Sequence, residues 1–333
     1  MTRNSQAIVQ SLEIQLNLLS DQSTRDRFLK KKAFETVKKE AFDNTTDWTI
    51  DDATELFDKL NPSLLSCTES NIEGIREQAV ILLRGFVTRT NGSTTSALLE
   101  CARQRLTKEP TEEIRASWLL LVRSLVEKAT LTTADAEICL DIIQLAVSDP
   151  FPEAQKESAH LLIALAQKQT NCVKYAGERT VKMMIGLLLH KHAPVRSLAI
   201  KAIEAVLVIS SQGMSQLFEY DEVNDRPPVI PALVYDTSAS VRSALIIAMG
   251  HIFTTWAPLD RYTYADRMLP VLFAATADEL LVDTSKEILK KVDAVCIQDM
   301  VESGILEASE EKEGQGNEDK FPVRRLAAND QNS

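Results

Sequence analysis

The chain has 333 residues, with 37 basic and 48 acidic side chains and a net charge of −11, which argues against a general nucleic-acid or anionic-membrane binder. Only 10 Gly and 11 Pro occur, too few turn residues for a many-stranded β protein, so composition points to an all-α chain. Five cysteines without CxxC spacing read as buried reduced thiols, the N-terminus lacks a signal-peptide h-region, and the longest apolar stretch, 183–189, is too short to span a bilayer, so a cytosolic or nuclear location is expected.

Seven helical pairs follow one another along the chain. Their first helices are expected at about 6–19, 51–66, 94–107, 133–147, 173–190, 227–235 and 260–276. Short polar turns lead from these into the second helices, at 68–74, 108–113, 148–152, 191–194 and 236–240. Pro152 and Pro194 fall in a first turn, where the missing N–H costs nothing. The second helix of the first pair, 25–39, is polar, with a shifted apolar stripe of Phe28, Phe34 and Val37, as a terminal cap requires. An insertion at 212–226 interrupts the sixth pair; such insertions map to loops that often serve binding, and an ordinary solvated loop is the favoured reading. Residues 301–333 read as an acidic tail without order, and 321–333 carry no periodicity.

Each second helix opens with an apolar–basic dyad or a weaker version of it. The dyads are Thr24-Arg25, Ile75-Arg76, Ile114-Arg115, Ala154-Gln155, Val195-Arg196, Val241-Arg242 and Val282-Asp283, spaced by 51, 39, 40, 41, 46 and 41 residues. A period near 40 is the HEAT range. Counting from the apolar dyad residue, offset 7 reads Leu82, Leu121, Leu161, Ala202, Ala248 and Leu289. Offset 8 reads Leu83, Val122, Leu162, Ile203 and Met249, failing at Lys290, and offset 11 reads Phe86, Leu125, Leu165, Val206 and Ile252, failing at Asp293. These offsets share one helical face, so each second helix buries a single stripe. The fold expected is an α-solenoid (armadillo-like superhelix) of about seven HEAT repeats over 1–300.

The dyad arginines Arg76, Arg115, Arg196 and Arg242 have a structural role to fill, because each can reach a turn acid such as Asp236 in its own or a neighbouring repeat. Arg123, Lys201 and Glu204 fall on the side of the second helices away from the buried stripe, and Trp48 and Trp256 are candidate exposed anchors, so these five form a candidate partner surface. Trp118 sits on the stripe and reads as core. His190 and His192 flank Lys191 in a turn with no HExxH, paired Cys or acidic cluster, so a metal site is not expected. No GxGxxG, GxxxxGK[ST] or GxSxG stretch occurs. A non-enzyme without cofactors is the expectation.

The stretch from His190 to Asp283 is the most specific. It reads HKHAPVRSLAIKAIEAVL, YDTSASVRSALIIAMGHIF and LDRYTYADRMLPVLFAATADEL, and it resembles the HEAT-repeat dynein axonemal assembly factor family. The matching positions are His190, His192, Val195 and Arg196; Asp236, Val241 and Arg242; Leu259, Asp260, Arg261, Tyr262, Leu269, Pro270 and Leu272; and Asp278 and Glu279. Ala277 and Asp283 depart from the family pattern. The resemblance covers most of 1–295 and is to the N-terminal part of longer proteins. It implies a cytoplasmic scaffold for preassembly of axonemal dynein arms in cells with motile cilia, with dynein chains, chaperones and other assembly factors as partners. Other HEAT scaffolds, such as tubulin-binding arrays, phosphatase adaptors or transport receptors, are the alternatives. The turns DQSTR, ESNIEG, KEPTEE, DPFPE, HKHAP and DTSAS hold no tryptophan and few bases, which weighs against tubulin capture.

Overall fold

A computed structural model describes Leu18 and residues 27–43, 49–90, 95–222 and 225–305. The expected helix at 6–19, Trp48 and the tail from 306 onward lie outside the described residues, Leu18 aside. Among the described residues every regular element is a helix, and the one extended pairing is an isolated antiparallel bridge between Asp221 and Arg226. The chain divides into two compact units, residues 1–214 and 215–333. The division falls inside the insertion at 212–226.

The first unit begins with α1 (Arg27–Lys38), which continues as a π-helical turn, Lys39–Asp43. The pairs follow as α2 (Ile50–Cys67) with α3 (Glu73–Val87), α4 (Thr95–Leu106) with α5 (Glu112–Lys128), and α6 (Thr133–Val147) with α7 (Pro152–Lys168). The next first helix is broken into α8 (Thr170–Tyr175) and α9 (Gly177–Leu188), paired with α10 (Ala193–Leu207). Ala176, at the break, caps α8, and Gly177, the first residue of α9, is buried where a Cβ would stand 3.3 Å from Ser210 and Gln212. First helices pack on first helices (α4 on α6, α6 on α9) and second on second (α3, α5, α7, α10 in turn), so two layers stack along the unit. This is an α-solenoid.

The sequence periodicity explains the packing. Offsets 7, 8 and 11 of α3, α5, α7 and α10 are all buried, as is Trp118. Each large apolar side chain so buried contributes on the order of 1.5–3 kcal/mol, and one helix pair cannot bury them without its neighbours. In α1, Phe34 and Val37 are buried, whereas Phe28 is exposed and does not belong to the stripe. Helix starts are set locally. Thr49 with Asp52, and Thr132 with Asp135, form reciprocal capping boxes that satisfy the free amides opening α2 and α6.

The second unit contains α12 (Val229–Leu233) with α13 (Ala239–Thr255), and α14 (Pro258–Thr263) and α15 (Ala265–Ala274) with α16 (Val282–Glu302). The short helix α11 (Met214–Phe218) lies at the division. The first helix expected at 227–235 is only five residues long, because Pro227 and Pro228 precede it and neither can donate to a helical ladder. The insertion is more than a solvated loop, since Met214 and Leu217 are fully buried. Repeat seven is displaced by one residue from the expected register. Leu281, Ile288, Leu289 and Val292 carry offsets 0, 7, 8 and 11, with Leu281 and Val292 buried and the other two half-buried. Its apolar face is therefore intact, and α16 packs on α13 so closely that a Cβ on Gly250 would meet Ile288 Cγ2 at 2.3 Å.

Candidate functional site

The dyad arginines lie in a repeated arrangement at the turns. At the turns that carry a dyad arginine, the residue six before it takes two roles. Its side chain accepts the backbone N–H two residues on: Thr111 to Glu109 (3.0 Å), His192 to His190 Nδ1 (3.1 Å) and Ser238 to Asp236 (2.8 Å). Its carbonyl accepts the arginine of the same turn: Arg76 Nη1 on Ser70 (3.0 Å), Arg115 on Glu109 (3.1 Å), Arg196 on His190 (2.7 Å) and Arg242 on Asp236 (2.7 Å). The Asp149 side chain accepts the Phe151 amide (2.9 Å) and that of Asp278 the Leu280 amide (3.0 Å) in the same way, in turns that have no dyad arginine.

A third contact crosses to the next repeat. Arg76 holds Glu109 through Nε and Nη2, both at 2.8 Å, and Arg115 holds Asp149 through the same atoms at 2.6 and 2.9 Å. Arg242 Nε reaches Asp278 at 2.6 Å. The forked guanidinium suits this geometry, since it can bind a carboxylate edge-on and still spend Nη1 on a carbonyl. The hydrogen bonds to Glu109, Asp149 and Asp278 raise the pKa of Arg76, Arg115 and Arg242 respectively. Burial acts to raise the pKa of Glu109, but the Arg76 hydrogen bonds and the Thr111 amide outweigh it and hold the carboxyl below its usual range. Asp278 is also held low, chiefly by Arg242 and then by the Leu280 amide.

Repeat four departs from this arrangement at both ends. Gln155 stands where the arginine should be, and its Nε2 lies 3.4 Å from the Val147 carbonyl. Thirty-five residues on, His190 stands where the neighbouring rungs have an acid. An open cleft of about 790 Å³ borders Gln155, lined also by Val147, Tyr175, Lys182 and Gly186.

The proposed partner-surface residues fare differently. Arg123 pairs with Glu157 of the next repeat at 3.2 Å and approaches Glu127 at 3.8 Å. Lys201 is exposed and Glu204 half-buried, both on the outward side of α10. His160 lies among them. Burial pushes its pKa down, Glu157 acts in the opposite sense, and Arg123, Lys156 and Lys201 add to the lowering. Trp256 is only 4% exposed, packs against Tyr264 with ring centroids 5.5 Å apart, and so belongs to the core. It is not an exposed anchor, because the chain turns back over it through α14.

That turn rests on Arg261, a residue marked out by the family resemblance and not by periodicity. Its buried guanidinium donates to the carbonyls of Phe253 (2.9 Å) and Trp256, closing the C-terminal end of α13, and pairs with Asp299 on α16. The acids Glu109, Asp149 and Asp278 were likewise recognisable in the sequence only by their place 33 to 36 residues after a dyad arginine. Among the described residues no group of three or more His, Cys, Asp or Glu is placed to hold a metal ion, and no helix is long and apolar enough to cross a membrane.

Stacked helix pairs with these turns define a helical-repeat protein of the HEAT and armadillo class. Solved structures agree at the level of fold. A chain of the Kap95:Nup1 complex matches 91% of this chain and 38% of its own length with a TM-score of 0.58 at 10% identity. Kap121p matches 90% and 31% with 0.57 at 14%, and a designed armadillo repeat protein in complex with the peptide (KR)4 matches 69% and 98% with 0.50 at 14%. The family model "Dynein axonemal assembly factor 5-like, TPR repeats" matches residues 18–303. The chain belongs to that family. Dynein axonemal assembly factor 5 of Drosophila melanogaster is 27% identical over 278 residues, covering 79% of this chain and 32% of the relative. The Xenopus laevis protein of that name is 25% identical over 285 residues, 84% of this chain and 32% of its own length. The chain thus spans about a third of the length of the curated relatives it matches. The family description names TPR repeats, whose period is about 34 residues, whereas the dyads of repeats two to seven recur every 39 to 46.

Proposed function

We propose that this chain is a non-catalytic scaffold in the preassembly of axonemal dynein arms, acting in the cytoplasm of cells with motile cilia before the arms are carried into the cilium. The observation that carries this reading is the family match across residues 18–303, together with relatives named dynein axonemal assembly factor 5. The repeat architecture supports holding as the mode of action. Rung contacts hold Arg76, Arg115 and Arg242 at the turns, while Arg123, Lys201 and Glu204 stand on the outward side of the second helices. A large client, such as a dynein heavy chain, would be held by many weak contacts along this face, with chaperones and other assembly factors alongside.

The test is depletion in a motile ciliated cell, followed by quantifying dynein heavy chains in isolated axonemes and in cytoplasm. The expected result is loss of axonemal arms from cilia of normal length, with heavy chains unstable in the cytoplasm. Unchanged arms would overturn the proposal.

A further inference from the structure

In the second unit, a cleft of about 310 Å³ opens at the turn edge between the sixth and seventh pairs. Its apolar walls include Val234, Ile246 and Leu281. Tyr235, also in the lining, is 81% exposed, and Leu280, next to Leu281, is 72% exposed. Large apolar side chains this exposed beside an apolar hollow mark a place for an incoming side chain. The rim is acidic, since Asp236, Asp278 and the exposed Glu279 stand against the single guanidinium of Arg242. The occupant that fits is an apolar residue flanked by arginines or lysines.

The chain itself contains such a segment. Residues 321–326 read FPVRRL, and the stretch before them, 307–320, holds six acids and two lysines. Only the segment 321–326 combines apolar and basic character there. The geometry also allows it to arrive. The cleft lies at the N-terminal end of α16, so the chain must return along a helix of 21 residues, roughly 31 Å long at 1.5 Å per residue. The fifteen residues between Ile305 and Phe321 span up to about 50 Å when extended. A tether of this length presents its end at an effective concentration on the order of millimolar, so a weak contact suffices.

We propose that residues 321–326 dock in the cleft beside Tyr235, with Phe321 or Leu326 in the hollow and Arg324 and Arg325 against Asp236, Asp278 and Glu279. The segment then covers the turn edge of the last two pairs and competes with any basic, apolar peptide of a partner for the same place. This inference does not depend on the identity of the client.

The test uses the full chain with the photo-crosslinker benzoylphenylalanine at position 321, irradiated and mapped by mass spectrometry. Adducts at monomer mass concentrated in 234–246 and 274–281 are expected. Filling the hollow with Ala277→Trp, or reversing the rim with Glu279→Lys, lowers their yield by about fivefold, the effect of a rim charge pair worth about 1 kcal/mol. Arg324→Glu with Arg325→Glu lowers it similarly, and adding Glu279→Lys to that pair restores part of it. Far-ultraviolet circular dichroism of each variant separates loss of docking from loss of fold. Adducts spread over the whole chain, or none, overturn the proposal. Adducts found only between two copies also overturn it, making the cleft a site for a second molecule.

Discussion

At the scale of single residues, the dyad arginine is the group on which most contacts converge. Arg115 is 12% exposed and its partner Asp149 9%, so removing the arginine leaves a largely buried carboxylate and the carbonyls of Glu109 and Pro110 without their donor. Truncation of a fully buried pair costs about 3–5 kcal/mol, and the slight exposure places Arg115→Ala near the lower end, about 3 kcal/mol. Urea unfolding followed by circular dichroism measures this directly, and a loss below about 0.5 kcal/mol would mean that the rung is ornamental. The rung also makes stability depend on pH. Glu109 has a folded-state pKa below its unfolded value of about 4.3, so its contribution is complete above that value and disappears as pH falls through the folded pKa. Glu109→Gln therefore flattens the fall in the urea midpoint below about pH 4.5, while leaving the neutral-pH protein less stable than the parent. An unchanged acid slope would place the acid sensitivity in other carboxylates.

At the scale of elements, the second helices were legible in the sequence because one stripe repeats at fixed offsets and burial follows it. The first helices were less so. The break at Ala176 and the five-residue α12 depend on packing around Gly177 and on two prolines, which a period of 3.6 does not register. The register of repeat seven differs by one residue from the one its sequence suggests, because a dyad without its arginine leaves nothing to anchor the count. The insertion reads as a loop in the sequence because two buried residues, Met214 and Leu217, are too few to make a pattern. The rung at repeat four was visible as a departure, Gln155 for arginine, but its other end, His190, has meaning only once the turn positions are aligned in space. That alignment allows the rung to be rebuilt. Gln155→Arg with His190→Asp should restore a pair that each change alone cannot, with a favourable coupling of about 1 kcal/mol in a double-mutant cycle of unfolding free energies. Zero coupling would mean that the two positions do not face one another as the other rungs do.

At the scale of the molecule, a repeat array and an enzyme differ in how loss is distributed. A solenoid's stability is close to a sum of repeat and nearest-neighbour terms, and an interaction spread over its second helices should behave in the same additive way. Arg123 stands on α5, and Lys201 and Glu204 stand one turn apart on α10, while Trp256, the one aromatic anchor of that set within the described residues, lies in the core. Among the described residues of that set, no aromatic anchor stands on the surface of the kind that concentrates binding energy. Under the proposed function, capture of a dynein heavy chain should accordingly lose no more than about fivefold on any one of Arg123→Ala, Lys201→Ala or Glu204→Ala, the scale of an exposed charge. The triple variant should lose roughly the product of the three, less a coupling of a few tenths of a kcal/mol between Lys201 and Glu204 three residues apart on one helix. Equilibrium binding of purified client to the parent and the four variants decides between the two pictures. If one substitution abolishes capture and the other two do nothing, the client is held at a focused site, and the distributed surface proposed for this family member would have to be abandoned.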